Sequence, residues 1–335
     1  MVIISTIYSK LNQYNYKKSI ITIGSFDGLH LGHKKIFNKM KNLSIDDLGN
    51  KSNNKVLITF NPHPITVLNP KKEKEQYILT PVSDKLKLLE KYFDDFIDLV
   101  IVISFTKTFS KISAKIFFNQ IIKSFDPIHI VIGDDHGFGY KRKGNVQFLK
   151  DNYEKKHNLK IHQISPKKSI IGSNSTQNSI IERISSTLIR NKILNTEIKE
   201  ANSMLNRYYS VKGKVVKGRG IGKQINFPTI NIQPNHTYQI LPSRGVYFVK
   251  LKINQIKYSG MCNIGIRPTL TNSKEETIEI HIFRADIDMN FYNNEVNIYF
   301  VEYIRSEKRF KNIKFLIKQL EKDKKICESL MAKGV

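Results

Sequence analysis

Through residues 1–205, short apolar runs alternate with stretches whose apolar positions recur every three or four residues. The runs are Ile20–Ile23, Val56–Phe60, Leu99–Phe105 and Ile128–Ile132. Each carries a single polar residue (Thr22, Thr59, Ser104, His129) rather than alternating, as expected of strands covered on both faces. Between them, Lys34–Met40, Asp84–Phe93 and Ala114–Lys123 carry helical spacing. This rhythm predicts a doubly wound parallel α/β domain over residues 1–205. Near Asn206 the pattern changes. Tyr208–Val216, Gly245–Ile253, Lys257–Ile264, Thr277–Arg284 and Glu295–Arg305 read as strands separated by Gly, Pro and Asn turns. A helical pattern over Phe310–Glu328 ends the chain. Residues 206–335 therefore predict a small antiparallel β-barrel with a C-terminal helix. A length of 335 residues suits two domains.

Composition narrows the classes. No apolar stretch approaches the roughly 20 residues of a membrane span. Met1–Tyr16 lacks a basic segment followed by an unbroken apolar one, so no signal peptide is expected. Cys262 and Cys327 stand far apart without CxxC spacing, which points to reduced thiols and a cytoplasmic protein. The net charge of +26 raises nucleic-acid binding as a class. The lysines are scattered, however, and occur with abundant Ile and Asn. No zinc finger, RNP motif or basic helix with interleaved aromatics accompanies them. Specific nucleic-acid binding is not expected, and weak attraction to anionic nucleotides is.

The first chemistry lies where a strand gives way to a helix. Ser19–Ile23 runs into Gly24-Ser25-Phe26-Asp27-Gly28-Leu29-His30-Leu31-Gly32-His33 and then into the helical pattern. Such a turn aims backbone N–H groups and the positive helix end at one spot, a site suited to phosphate. His30 and His33 are three apart and share a helix face. Gly28 and Gly32 let the backbone approach a ligand closely. In parallel sheets ligands bind beyond the carboxyl ends of the strands. Asn61-Pro62-His63-Pro64 and Gly133-Asp134-Asp135-His136-Gly137-Phe138-Gly139 fall there too. His63 suits an exposed turn or a ligand contact. Asp134 and Asp135 suit a turn or contact with a nucleotide or its magnesium. Lys167–Asn178, rich in Ser, Asn and Lys, reads as a mobile loop. Ser186, Thr187 and Arg190 open the next helical segment, where hydroxyls and a guanidinium form a candidate clamp on a triphosphate.

The rear half has its own constellation. Gly218, Gly220, Gly222 and Lys223 precede Phe227-Pro228-Thr229-Ile230-Asn231. No helix is expected after these glycines, so a dinucleotide fold is not indicated, and Gln224 after Lys223 excludes a Walker A loop. A glycine loop beside Thr229 and Asn231 suits phosphate and magnesium, which takes few protein ligands. In Thr277–Ile282 the isoleucines share one face, and Glu279 and His281 the other. A carboxylate on a rigid strand can serve as general base for an alcohol. His281 reads as part of a solvated outer face.

The pattern GxFDGxHxGH over Gly24–His33 is similar to the signature of the nucleotidylyltransferase superfamily. In order with Asn61–Pro64, Gly133–Gly139, Ser185–Arg190, Pro228–Asn231, Asn263–Thr269, Glu279–His281, Arg305 and Phe310, nearly the whole chain resembles the prokaryotic bifunctional riboflavin kinase/FAD synthetase family. The resemblance implies an N-terminal FMN adenylyltransferase and a C-terminal riboflavin kinase. These use ATP as co-substrate and Mg2+ as cofactor, and form FMN from riboflavin and FAD from FMN. It implies catalytic roles for His30, His33, Arg190 and Glu279. Gly24, Phe26, Asp27, Gly28, Gly32, Asp135, Ser186, Thr187, Gly218, Gly222 and Lys223 would receive ATP phosphates. Asn61, Pro62, His63, Arg305 and Phe310 would contact flavin, and Thr229 and Asn231 would hold magnesium. The chain departs from the family at Lys223 and Asn226, where Arg and Gly are usual, at Ile230 in the PTAN motif, and at Asn293 after Tyr292. Asn tolerates a left-handed backbone, so the two turns can survive. Two alternatives stay open: an adenylyltransferase whose rear module only binds flavin, and a basic nucleic-acid-binding protein.

Overall fold

The computed structural model describes the chain except residues 45–52, 70–76, 172–179, 219, 268–274, 284–290 and 335. Pro268, Thr269 and Arg284 of the sequence motifs therefore lie outside the described residues. The chain divides into two compact units, Met1–Ser186 and Thr187–Val335.

The first unit is built on a parallel sheet of six strands: β1 (Val2–Thr6), β2 (Ser19–Ile23), β3 (Lys55–Asn61), β4 (Leu99–Ser104), β5 (Pro127–Gly133) and β6 (Lys160–Ile164). Their order is β1-β4-β3-β2-β5-β6, and every pairing is parallel. The strand period of two sends alternate residues to opposite faces. Ile21, Ile23, Ile58, Ile101 and Ile103 meet Phe117, Phe118, Ile121 and Phe125 of the helix Ala114–Phe125. Ile20, Leu57, Val100 and Val102 meet Ile36, Phe37 and Met40 of the helix Leu31–Leu43, with Leu89 and Phe93 of the helix Val82–Phe93. Helices on both faces explain why the central strands read as largely apolar runs rather than alternating ones.

The edge strands β1 and β6 escaped that criterion because neither is buried along its length. The stretch expected as a mobile loop, Lys167–Asn178, instead opens with β7 (Lys168–Ile171), which pairs antiparallel with β8 (Ile180–Arg183). Pairing with a partner strand, which composition does not report, organises Lys168–Ile171; the rest of the expected loop, 172–178, lies outside the described residues.

In the second unit, β9 (Tyr209–Val216), β10 (Ile230–Pro234), β11 (Gly245–Ile253), β12 (Ile256–Arg267), β13 (Glu275–Ile282) and β14 (Glu295–Arg305) close a barrel in the order β10-β13-β12-β11-β14-β9. All its pairings are antiparallel. The β11–β12 hairpin turns on Asn254 and Gln255, both left-handed, with φ of 48° and 69°. Left-handed φ at both central positions is what a two-residue turn matching the strand twist requires. The C-terminal helix Ile313–Ala332 is capped by Asn312, whose side chain accepts from the Phe315 N–H. It inserts buried Cys327 among Val246, Phe248, Met261, Phe283 and Val301. One further turn of helix, Ile221–Gln224, follows the rear glycines, where none was expected. It is too short for a dinucleotide fold, and β10 comes next.

Candidate active sites

In the first unit, the turn after β2 is strained and enclosed. Phe26, Gly28 and Leu29 all have positive φ, of 48°, 85° and 43°. Only glycine takes such values without steric cost. His30 caps the helix Leu31–Leu43, and the two histidines close a reciprocal capping box. The His30 N–H donates to His33 Nδ1 at 3.3 Å, and the rings stack with centroids 3.7 Å apart. With Nδ1 accepting, the proton of a neutral His33 ring sits on Nε2, an edge able to donate to a phosphate oxygen. Gly32 needs to be small, since a methyl there would lie 3.0 Å from the His30 imidazole. A methyl at Gly24 would lie 3.2 Å from the Phe26 ring, which meets the edge of His33.

Buried groups hold this turn. The Asp27 carboxylate accepts from the N–H groups of Leu79 and Thr80 at 3.1 and 2.9 Å. It was expected among the ATP-contacting residues; these bonds tie it to the segment before the helix Val82–Phe93. Lys85, on that helix and buried, donates to the Ser25 carbonyl at 2.8 Å and to Thr59 Oγ1 at 2.9 Å. Ser186 donates to the Asp27 carbonyl at 2.8 Å, so the SST segment returns to the turn. Thr187 is exposed and Arg190 buried, both beyond the first unit.

Other strand ends carry the remaining candidates of this unit. Asn61, the last residue of β3, and Pro62 after it are exposed. His63 caps a short helix, Pro64–Leu68, by accepting from the Ile65 N–H at 3.2 Å. After β5, Arg183 forms ion pairs with Asp134 and Asp135, at 2.9 and 2.7 Å. Burial, then the Arg142 charge, pushes the His136 imidazole down to about 4.

In the second unit, the strand register builds a row. Asn231 of β10 stands opposite Glu279 of β13, and Glu279 opposite Asn263 of β12. Directly paired residues project to the same side of a sheet. Ile278 and Ile280 point into the closed core, so the row lies on the outer face. The glycine loop packs onto it. A methyl at Gly218 would sit 2.1 Å from Asn231 Nδ2, and one at Gly222 would sit 2.3 Å from the Phe227 carbonyl and 3.3 Å from Thr229 Oγ1. The fold thus brings Gly218, Gly222, Thr229, Asn231 and Glu279 together. Lys223 is exposed beside them in sequence. A hydroxyl and an amide carbonyl are hard oxygen donors of the kind magnesium takes when phosphate and water complete its shell. Among the described residues no cluster of three His, Cys, Asp or Glu offers a rival cage.

Arg305, expected at the flavin, forms a forked pair with Asp323: Nη2–Oδ2 is 2.7 Å and Nε–Oδ2 2.9 Å. Asp323 is fully buried on the C-terminal helix, and Phe310 lies 6.0 Å from the guanidinium carbon. His281, expected in a solvated face, is buried between Phe227 and Phe283, and its Nδ1 is 2.9 Å from the Pro228 carbonyl. Packing over the outer face, invisible to strand alternation, makes the difference. The sequence reading also passed over Lys85 and Glu307, and placed Asn263 in a motif without a role. A signal existed for Lys85, which shares a stripe of four-residue steps with Leu89 and Phe93, the apolar face of its helix. Glu307 approaches so near β12 that a methyl at Gly265 would lie 2.5 Å from its Oε1.

Two family models match in the expected order. That for FAD synthetase covers residues 12–176, and that for riboflavin kinase covers residues 205–331. A bifunctional riboflavin kinase/FMN adenylyltransferase of Buchnera aphidicola (Schizaphis graminum) is 35% identical, spanning 94% of this chain and 96% of its own length. The chain belongs to the bifunctional riboflavin kinase/FMN adenylyltransferase family. The Bacillus subtilis member is 33% identical over 92% of this chain and 90% of its own length. A solved structure from Streptococcus pneumoniae, described as a macrolide-efflux protein, matches with a TM-score of 0.81 and 25% identity. The match covers 98% of this chain and 99% of that one. Among the described residues of this family member, no helix is long and apolar enough to cross a membrane.

Proposed function

We propose that the chain carries out two successive transfers: ATP and riboflavin give FMN and ADP, and a second ATP with FMN gives FAD and pyrophosphate. The observation that carries this reading is the presence on one chain of two arrangements chemically suited to phosphate. One is a helix mouth with paired imidazoles, the other a barrel row with a carboxylate, and the two family models fall on them in that order. The functional division we propose is 1–205 for adenylyl transfer and 206–335 for phosphorylation, although the compact units divide earlier, after Ser186.

In the rear reaction, Glu279 takes the proton of the ribityl 5′-hydroxyl as that oxygen attacks the γ-phosphorus. The bond to the bridging oxygen breaks, and ADP leaves. Gly218 and Gly222 let the loop approach the phosphates. Thr229 and Asn231 would hold magnesium, whose charge, when bound, offsets that of the phosphates. In the front reaction, a phosphate oxygen of FMN attacks the α-phosphorus of ATP, and pyrophosphate leaves in line. His30 and His33 donate hydrogen bonds to phosphate oxygens, and the helix N-terminus adds its positive end. No covalent enzyme intermediate is needed, because positioning and charge stabilisation supply the catalysis. Arg190, Ser186 and Thr187 keep their proposed phosphate roles, and Asn61, Pro62, His63 and Phe310 their proposed flavin roles. Arg305 keeps its proposed flavin role, and its pair with Asp323 fixes the guanidinium. The cytoplasm is the compartment we propose. Both thiols are buried, which raises their pKa, that of Cys327 to about 12.

The test supplies riboflavin, ATP and magnesium and follows products by chromatography. FMN followed by FAD is expected. FAD formed only from added FMN would reduce the rear unit to a flavin binder. Neither product, with salt-sensitive RNA or DNA binding, would overturn the reading.

A further inference from the structure

We propose that Lys85 is a positioning residue for adenylyl transfer, fixing the backbone of the Gly24–His30 turn through the Ser25 carbonyl. The inference rests on the placement of ATP phosphates at that turn.

Three observations converge. First, the Lys85 ammonium lies in the core, on the buried face of the helix Val82–Phe93, where an unpaired cation is costly. Its partners are neutral oxygens. It donates to the Ser25 carbonyl and to Thr59 Oγ1, and the Thr59 hydroxyl donates in turn to the same carbonyl at 3.3 Å. Second, that carbonyl belongs to the peptide between Ser25 and Phe26. In a planar trans peptide the C=O and the N–H point in opposite directions. Drawing the Ser25 oxygen inward turns the Phe26 N–H outward, away from the core. Third, Phe26 is a bulky residue held at φ 48°, with Leu29 at 43° in the same turn. Such conformations persist only when the surroundings over-determine them. The Asp27 carboxylate on the Leu79 and Thr80 amides fixes one side of the turn, and Lys85 with Thr59 fixes the other.

The charge has a consequence of its own. Burial lowers the Lys85 pKa to about 8, against the opposing pull of the Asp27 carboxylate, which is the charged group acting on it. Ser25 and Thr59 are neutral. Deprotonation leaves an amine that can still donate but no longer places a positive charge beneath the phosphate turn. FAD formation should therefore fall as pH rises through about 8, while FMN formation by the other unit of the same chain should not fall with it.

The test uses the full chain with Lys85→Met, an uncharged side chain of similar length. Starting from FMN and ATP, kcat for FAD should drop about 10- to 100-fold, the range for a reacting group displaced by about 1 Å. The KM for ATP should change less than about threefold, because a positioning defect acts in the transition state. FMN formation should be unchanged, and the alkaline fall in FAD formation should vanish. A folded Lys85→Met chain with near-normal kcat and an intact alkaline limb would overturn the proposal. If the variant does not fold, the parent chain decides: a flat FAD profile across about pH 7 to 9, bracketing the Lys85 value, overturns it. His33→Ala in parallel separates the two ideas. Normal FAD formation by that variant would sink the phosphate assignment itself, whereas its loss beside an unaffected Lys85→Met chain would sink only the role of Lys85.

Discussion

The two turns proposed to receive phosphate meet one requirement by opposite means. The front turn depends on conformation: Phe26, Gly28 and Leu29 occupy left-handed backbone, held by the buried Asp27 and Lys85. The rear loop depends on space: Gly218 and Gly222 leave room for the Asn231 amide and the Phe227 carbonyl. A strained turn needs a polar scaffold beneath it, and a crowded one needs only missing side chains. On our proposal the front turn is therefore sensitive to residues remote in sequence, such as Lys85, while the rear loop is crowded by neighbours close to it in sequence, Phe227, Thr229 and Asn231.

The sharpest break between the two regions is a crossed pair of variants. Glu279→Ala should stop FMN formation, with a loss of about 10²- to 10⁴-fold, as expected for a missing general base, yet leave FMN-to-FAD conversion intact. His33→Ala should stop FAD formation and let FMN accumulate. Both are read by chromatography of timed reactions. Either change abolishing both steps in a folded chain would defeat the assignment of separate sites.

A second comparison concerns what holds each region. In the rear unit Arg305 joins β14 to the C-terminal helix through buried Asp323, which Gln319 also bonds at 2.8 Å. Removing one partner leaves a buried charge, and such losses cost about 3–5 kcal/mol. Arg305→Ala should lower the rear unit's stability by that order, with a lower melting midpoint, and reduce FMN formation with it. FAD formation from added FMN should hold. If the melting is unchanged while riboflavin binding is lost, Arg305 serves the flavin rather than the helix.

Gly218→Ala is a smaller perturbation on the same side. The added methyl would lie 2.1 Å from Asn231 Nδ2. Asn231 must move, and a displacement on this scale should lower FMN formation about 10- to 100-fold with FAD formation unchanged. Excess magnesium should restore part of the loss if Asn231 is a ligand, and none if it is not.

What the sequence disclosed follows the same division. The central strands and their helices were legible because burial on both faces leaves nearly unbroken apolar runs, as at Leu99–Ile103. The rear row was legible because alternation in β13 places Glu279 opposite its isoleucines. The sheet edges were not, since β1 and β6 are only partly covered. Nor was the difference between a ligand-facing and a scaffold-facing polar group. Asp27 bonds Leu79 and Thr80, and Arg305 bonds Asp323; both partners are fixed by tertiary packing at separations no local pattern reports. His281 misled for the same reason, because Phe227 and Phe283 cover a face that alternation alone marks as outward.

The least effect, and the broadest, is in acid. His129 on β5 and His162 on β6 stand with ring nitrogens 3.2 Å apart, close to Lys39 and Lys160. Burial lowers both pKa values, that of His129 to about 4, with further lowering from His162 and the two lysines. His136 lies in the same unit and is lowered likewise. In the rear unit, among the described residues, His281 is the one histidine with a lowered value. A histidine whose folded pKa lies below its unfolded value of about 6.5 supports folding fully above that pH. The support is lost as pH falls toward about 4, because the unfolded chain takes up the proton first. With three such groups against one, the front unit should lose stability faster across this window. Hydrogen exchange in urea, resolved by peptide and corrected for intrinsic rates, would compare the units at about pH 7 and pH 5, on either side of that unfolded value. His162→Gln should flatten part of the front unit's decline. Equal losses in both units, or an unchanged slope in the variant, would remove the histidine pair from the account.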